Sequence, residues 1–379
     1  MKESFIAKTY PGIENILLNE LIKLGAENCI LLNRAVSFEG DMLLLYKVNY
    51  FCRTALRVLW QISAFTFENK EQYYNEIYKI KTEKFLTEEG TLAISATINE
   101  SIFQTPLYAS VLAKDAICDR FRENTGKRPS VNKDEPDVSF HLHINRNEAT
   151  VFLDSSGESL HKRGYKISNH PAPINEVVAA AMIELSGWDA KSDFIDFMCG
   201  SGTILIEAAM RALNIPAAFY RKHFGFFTWL NFDRNLWEQT TQSADIKDDI
   251  DINLYGYDIS SRHLGMAVRN VEEACLQDFI YLERKDFQYT RPKRIPSFII
   301  TNPPYGERLE VEDLDALYSQ IGDTLKKNYS GCTAYIISSD KNALKSIGLH
   351  PSGKTTLYNG QLECKYLKFD LYQGTKKNT

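Results

Sequence analysis

The apolar run Phe298-Ile299-Ile300 is followed by Thr301-Asn302-Pro303-Pro304-Tyr305-Gly306. Such a run reads as a buried strand. Two consecutive prolines cannot continue it, because neither has an N–H to donate to a ladder. The strand must stop there, and the chain must leave it stiff and extended. The turn then offers acceptors. The Asn302 side-chain oxygen and the Pro303 carbonyl can both accept from a flat exocyclic amine, and the Tyr305 ring can stack on the base that carries it. The plain alternative is a proline turn that only ends a strand.

A second motif bears on the choice. Phe194-Ile195-Asp196-Phe197 reads as a short buried strand, Cys199-Gly200-Ser201-Gly202-Thr203 as a tight turn, and Ile204 to Leu213 as a helix. The glycines allow a ligand to approach the backbone closely. Asp258 ends the next strand, Leu254 to Asp258, where a carboxylate can accept from both hydroxyls of a ribose. Asp286 lies past a third strand, Phe279 to Leu282, and can accept from an adenine amine. The third glycine of the dinucleotide fingerprint is missing, which disfavours a pyrophosphate. Glycine turn, strand-end acid, second acid and Asn-Pro-Pro-Tyr, in that order, point to S-adenosylmethionine, with S-adenosylhomocysteine as the product. Asp196, Gly200, Gly202, Thr203, Asp258 and Asp286 are the candidate residues for holding it. Each acid alone also reads as a helix cap or a surface residue.

The rest of the C-terminal half repeats the alternation. Helices are expected from about Asn175 to Leu185, Arg262 to Cys275 and Leu314 to Lys327, strands over Ser297 to Thr301 and Thr333 to Ser338, and a last strand in Gly360 to Leu371. That alternation means a parallel sheet with helices on both faces. Between Leu213 and Leu254 comes an aromatic excursion, including Phe219, Tyr220, Phe224, Phe226, Phe227, Trp229, Phe232 and Trp237. It reads either as a cover over a base site or as a small satellite core. Gly348-Leu-His-Pro-Ser-Gly353-Lys354-Thr355 fits the written P-loop pattern, but a helical segment precedes it and a strand follows, the reverse of what a P-loop needs.

The N-terminal half reads as α+β. Residues 1–65 alternate strand and helix signals in a ferredoxin-like order, and residues 66–160 form a second small unit. In the latter, Val138 to Ile144 and Ala149 to Asp154 alternate like paired strands. His141 and His143 share one strand face, better suited to a hydrogen-bonded surface than to a metal pair. Net charge is −5, yet Lys114, Arg120, Arg122, Lys127, Arg128 and Lys133 face only Asp115, Asp119 and Glu123 over the same stretch. This local excess reads as a phosphate-contacting patch or as a solvated helix face. No apolar run approaches the ~18 residues that span a bilayer, and the mixed start does not read as a signal peptide. Seven scattered cysteines, an odd count with no close pairing, suit a reducing cytoplasm and argue against a disulfide frame or a zinc site, and no metal is expected.

Asn-Pro-Pro-Tyr is the signature of methyltransferases that modify an exocyclic nitrogen of a nucleobase. The chain resembles, nearly end to end, the bacterial THUMP-domain methyltransferases that act on guanine N2 of 23S ribosomal RNA. The resemblance is carried by Asp154-Ser-Ser-Gly157-Glu-Ser-Leu160-His161-Lys162-Arg163-Gly164-Tyr165, Ala172-Pro173-Ile174-Asn175-Glu176, Asp196 to Glu207, and Asn302-Pro-Pro-Tyr-Gly-Glu-Arg308-Leu309. It implies an α/β fold class: a C-terminal Rossmann-like S-adenosylmethionine methyltransferase domain, residues 161–379, preceded by a ferredoxin-like domain and a THUMP RNA-binding domain. It implies Asn302, Pro303, Pro304 and Tyr305 as catalytic residues, ribosomal RNA as partner and a cytoplasmic location. Relatives of this kind are often labelled adenine-specific DNA methylases, and a larger relative carries a second methyltransferase domain, whereas this chain ends at Thr379. Three readings stay open: a guanine-N2 ribosomal RNA enzyme, an adenine-N6 DNA methylase, and a non-catalytic RNA-binding scaffold.

Overall fold

The computed structural model describes residues 2–167, 174–305 and 313–372. Ala172-Pro173 and Gly306 to Leu309, which help carry the resemblance, lie outside the described residues. The chain opens with β1 (Glu3–Lys8), α1 (Glu14–Lys23), β2 (Glu27–Leu32), β3 (Ala35–Gly40), α2 (Met42–Phe51) and β4 (Arg57–Thr66). Gly25 ends α1 at a φ of 96°, which a side chain would resist. Asp41 caps α2 by accepting from the Leu44 N–H. Next come α3 (Lys70–Lys79), β5 (Thr91–Asn99), α4 (Pro106–Thr125), β6 (Ser130–Val131), β7 (Val138–Asn145) and β8 (Glu148–Asp154). The two small units expected from the sequence share one sheet. Pairing of β4 with β8, from Leu59↔Asp154 to Thr66↔Glu148, joins them in the order β2-β3-β1-β4-β8-β7-β5-β6.

The C-terminal half contains α5 (Glu176–Ser186), β9 (Asp193–Asp196), α6 (Thr203–Ala212), α7 (Arg234–Gln242), β10 (Leu254–Asp258), α8 (Ser261–Glu273), β11 (Ile280–Arg284), β12 (Ser297–Thr301), α9 (Leu314–Asn328), β13 (Thr333–Ser338), α10 (Lys341–Ser346), β14 (Gly353–Asn359) and β15 (Leu362–Asp370). Its sheet runs β11-β10-β9-β12-β13-β15-β14. The first five strands are parallel, and the β14–β15 hairpin closes the edge antiparallel. One apolar core, with α5, α6 and α8, covers one face, and a second, with α9 and α10, covers the other. Gly353-Lys354-Thr355 opens strand β14, so the P-loop pattern has no helix behind it.

The aromatic excursion after α6 follows mainly the second of its two readings: most of its rings go into a core, and Tyr220 alone among those named lines the cleft described below. Phe224, Phe226 and Trp229 are buried in the core of the N-terminal half. Phe226 packs 4.6 Å from Tyr46, Trp229 lies 5.9 Å from Trp60, and Trp237 meets Tyr50 at 5.4 Å. Helix α2 supplies Tyr46 and Tyr50 and strand β4 supplies Trp60, and aromatic area of this size gains most where it leaves water. A segment of the C-terminal half thereby completes the N-terminal core.

A buried charged node fastens the halves at a second place. Arg163, 1% exposed, pairs with Glu207 of α6 at 3.2 Å. The Tyr165 hydroxyl donates to the same carboxylate at 3.1 Å. The two terminal nitrogens of the guanidinium each donate to a carbonyl, of Leu160 and of Arg53, the latter in the loop before β4. Arg53 in turn donates to the Ile215 carbonyl at 2.6 Å. Removing one partner of such a pair strands a buried charge. Arg163→Met should therefore lower the unfolding free energy by about 3 kcal/mol or more, read from urea unfolding. Removing the exposed Arg146–Glu100 pair should leave the urea midpoint nearly unchanged.

Candidate active site

Strands β10, β9 and β12 lie side by side, and their C-terminal ends carry the motifs. The chain runs from β9 to β10 on one side and returns to β12 on the other, so the sheet order reverses between β9 and β12. Doubly wound sheets open a ligand crevice at such a point. Here it is a cleft of about 1590 Å³, lined by Asp196, Gly200, Thr203, Asp258 and Asp286 and also by Asn302, Pro303, Pro304 and Tyr305. The two motifs thus meet in one place.

Asp196 braces them. Its Oδ1 accepts from the Thr301 hydroxyl at 2.8 Å and from the Met198 N–H at 3.2 Å, tying the end of β9 to the end of β12. Burial pushes its carboxyl up to about 7, with the nearby Asp258 charge acting in the same direction. Gly200 and Gly202 take φ values of 54° and 80°. The Gly200 N–H donates to Asp258 Oδ2 at 3.0 Å, and the Ser260 N–H donates to Oδ1 at 2.8 Å. Asp258 therefore fixes the glycine turn as well as facing the cleft. Gly202 supports the turn from behind, where an added Cβ would lie 3.3 Å from Ala267 Cβ. Asp286 also lines the cleft, and its Oδ1 caps the short 3-10 turn Phe287–Tyr289 through the Gln288 N–H. Three carboxylates beside a glycine turn fit a cationic nucleoside such as S-adenosylmethionine.

At the β12 end, Asn302 Oδ1 is buried and has no hydrogen-bond partner among the described residues. An unmet acceptor at that depth costs free energy unless a ligand supplies the donor. The Tyr305 hydroxyl accepts from Asn359 Nδ2 at 3.2 Å and lies 3.8 Å from the Cys364 sulfur. Burial pushes its phenol above the usual range. Asn359 Oδ1 accepts from the Asn175 N–H at 3.4 Å, and Tyr318 donates to the Pro304 carbonyl at 3.2 Å. Sequence reasoning missed Asn359 and Tyr318. Asn359-Gly360 signals only a hairpin turn, and its link to Tyr305 exists only once β14 and β15 pair.

None of the six patch residues lines this cleft. Lys114 pairs with Asp115 at 2.6 Å and Arg120 with Glu83 at 2.7 Å, both partly buried. Arg122 and Lys127 pair with Asp119 and Glu89, and Arg128 and Lys133 are exposed on the loop after α4. The His141 ring is hydrogen-bonded to Ser95 at 2.9 Å and contacts Lys8 at 3.1 Å. Burial and the Lys8 charge push it down to about 3. No helix among the described residues is long and apolar enough to cross a membrane.

The raised Asp196 carboxyl yields a signed expectation. An acid whose folded pKa lies above its unfolded value favours folding while protonated. That contribution is present below the ordinary aspartate range and is lost as pH rises toward about 7. Asp196→Asn should remove this term, so the variant should gain stability on wild type between pH 4 and 7 in parallel urea titrations. An unchanged difference across that range would show that Asp196 is ionised throughout.

Residues 163–368 match the RMKL-like methyltransferase domain, residues 67–154 the THUMP domain, and residues 4–59 the RlmL ferredoxin-like domain. The chain is 34% identical to "Ribosomal RNA large subunit methyltransferase K/L" of Methylococcus capsulatus, over 98% of this chain and 52% of that protein. It thus spans about half the length of that relative. It is also 34% identical to "Putative RNA methyltransferase slr0064" of Synechocystis, over 97% of each. The solved structure of SMU.472, "a putative methyltransferase complexed with SAH", matches with a TM-score of 0.88 and 29% identity over 99% of both chains. A Listeria monocytogenes protein titled "a predicted N6-adenine-specific DNA methylase" matches with a TM-score of 0.88 and 27% identity, over 99% of this chain and 97% of that one. The chain belongs to the RMKL-like methyltransferase family, with RlmL-type ferredoxin-like and THUMP domains ahead of the methyltransferase domain.

Proposed function

We propose that this chain is a cytoplasmic enzyme that transfers a methyl group from S-adenosylmethionine to the exocyclic N2 amine of a guanine in 23S ribosomal RNA. The observation that carries the proposal is the buried Asn302 Oδ1, without a partner among the described residues, in the cleft that also holds the glycine turn and Asp258. The family match, the ribosomal RNA names of relatives and the SAH complex of a solved relative support it. The donor supplies an electrophilic methyl group on a sulfonium. The chain's own residues supply position. Asp258 accepts from the ribose hydroxyls, Asp286 from the adenine amine, and the bare turn at Gly200 admits the donor closely. Asn302 Oδ1 and the Pro303 carbonyl accept the two N–H groups of the target amine, which favours a tetrahedral nitrogen with its lone pair out of the ring system. Tyr305, held from behind by Asn359, stacks on the base. Most of the rate gain is positional, and the base leaves its stack at a cost of a few kcal/mol, less from a loop. The outward cations Arg122, Lys127, Arg128 and Lys133 contact RNA away from the cleft, and the partly buried Lys114 and Arg120 support that surface.

An intact acceptor at Asn302 speaks against a non-catalytic scaffold. The adenine-N6 reading makes a different product, so nucleoside analysis separates the two. Ribosomal RNA from a strain lacking this enzyme should gain N2-methylguanosine in 23S RNA on incubation with protein and donor, and duplex DNA should stay unmethylated. N6-methyladenine in DNA would overturn the guanine assignment. Asn302→Ala should lower the single-turnover methyl-transfer rate by about a hundredfold or more, because one oriented hydrogen bond at the reacting atom is worth ~2.7 kcal/mol or above. Full activity in that variant would reduce Asn302 to a structural turn residue.

A further inference from the structure

The charge lining the cleft is uneven. Asp196, Asp258 and Asp286 line it at the strand ends, together with Lys285, and Lys162, Lys166 and Lys222 line another wall, together with His161, His223 and the carboxylates Glu158 and Glu176. That wall is made from two segments remote in sequence, the stretch after β8 and the stretch after α6. Arg221 fuses them. Its guanidinium donates to the carbonyls of Ser156, Glu158, Ser159 and Lys162 at 2.6–3.0 Å, and its Nε donates to the His223 carbonyl at 2.8 Å. It also lies over the Phe224 ring, 5.3 Å from the centroid, and Phe224 is anchored in the N-terminal core. Gly164, at a φ of 102°, sits so close that an added Cβ would be 2.3 Å from the Tyr220 carbonyl oxygen.

The consequence is a rigid wall with its charge turned outward. Arg221 spends its donors on backbone oxygens. Lys222 and His223 are exposed, and no carboxylate among the described residues lies within ion-pair distance of Lys222. Lys162 is exposed and shares its charge with Glu158, which is equally open to solvent, at 2.6 Å. Lys166 is paired in the interior with Glu176 at 2.9 Å and is spent there. We propose that Lys162 and Lys222, each flanked in sequence by a cleft-lining histidine, His161 and His223, form the site that grips the RNA phosphates flanking the target nucleotide and so presents its base to Asn302. This rests on the reading of the cleft as a ribosomal RNA methyltransferase site. The chemistry is complementary on both sides. A cationic donor meets carboxylates, a polyanion meets ammonium groups, and each repels the other's substrate. Unlike the cations of α4, these line the cleft itself, where a phosphate contact fixes the register of one nucleotide.

The test is the double charge reversal Lys162→Glu/Lys222→Glu, set against Lys326→Glu/Lys327→Glu on α9. The control makes the same change in net charge away from the cleft lining. RNA binding is measured against salt with S-adenosylhomocysteine present, so that it does not depend on turnover. The slope of log affinity against log salt should flatten by about 1.5 for two lost phosphate contacts, at ~0.7–0.9 per contact. RNA affinity at low salt should fall at least tenfold, the loss in transfer should fall on KM more than on kcat, and donor affinity should stay at the wild-type value. The α9 control should keep the wild-type slope. Lys222→Ala alone should flatten the slope by about half as much, which guards against a misfolded double variant. An unchanged slope in the cleft variants, or an equal change in the control, would overturn the proposal. A wild-type protein that binds RNA but methylates none would instead overturn the function proposed above, and the salt slopes would still judge the wall.

Discussion

The ion pair of Arg163 with Glu207 holds the architecture in register. It lies out of water, where a lone charge is costly, and the guanidinium also donates to two backbone carbonyls. Those partners come from three places: the end of the N-terminal half at Leu160, the loop before β4 at Arg53, and helix α6, which begins at the glycine turn. A shift of one half against the other would break several bonds at once. Such a node is weak evidence for net stability but strong evidence for a single geometry. It acts together with the aromatic strap, whose Phe224, Phe226 and Trp229 complete the N-terminal core from within the C-terminal half. The result is a cleft whose walls are tied together by contacts between segments remote in sequence.

Within that frame the sheet order decides where chemistry can happen. The strands that carry Asp258, Asp196 and Asn302 are neighbours, and the Thr301 hydroxyl bound to Asp196 locks two of them at their ends. The glycine turn and the proline turn therefore lie on one side of the sheet, a short distance apart, although they are remote in sequence. Asp258 and Asp286 serve as hydrogen-bond acceptors for local backbone and still face the cleft. Asn302 differs, because its buried oxygen has no hydrogen-bond partner among the described residues.

Much of this was legible from residue pattern. The limits of strands Leu254–Asp258, Ser297–Thr301 and Thr333–Ser338 coincide with the expected ones. The helix start near Asn175 was equally plain, and the structure adds that the Asn175 side chain caps it through the Val177 N–H. What escaped notice depended on partners distant in sequence. Strand β2 lies at a sheet edge with most of its residues exposed, so it shows no apolar alternation. Strand β14 hides behind a glycine-lysine-threonine run that imitates a phosphate loop. The destination of the aromatic excursion could not be read, since apolar rings announce burial but not the surface that buries them. Asn359 and Arg221 escaped for the same reason: one reads as a turn residue and the other as a surface cation until the structure supplies their contacts.

The central claim is a division of labour in one cleft, with the donor held at the glycine turn and Asp258, and the target amine held at Asn302. Calorimetric titration with S-adenosylmethionine tests it directly on wild type, Asp258→Ala and Asn302→Ala. The account predicts donor binding by wild type, clear weakening in Asp258→Ala, and wild-type affinity in Asn302→Ala. Absence of binding by wild type at millimolar donor, or equal weakening in both variants, would contradict it.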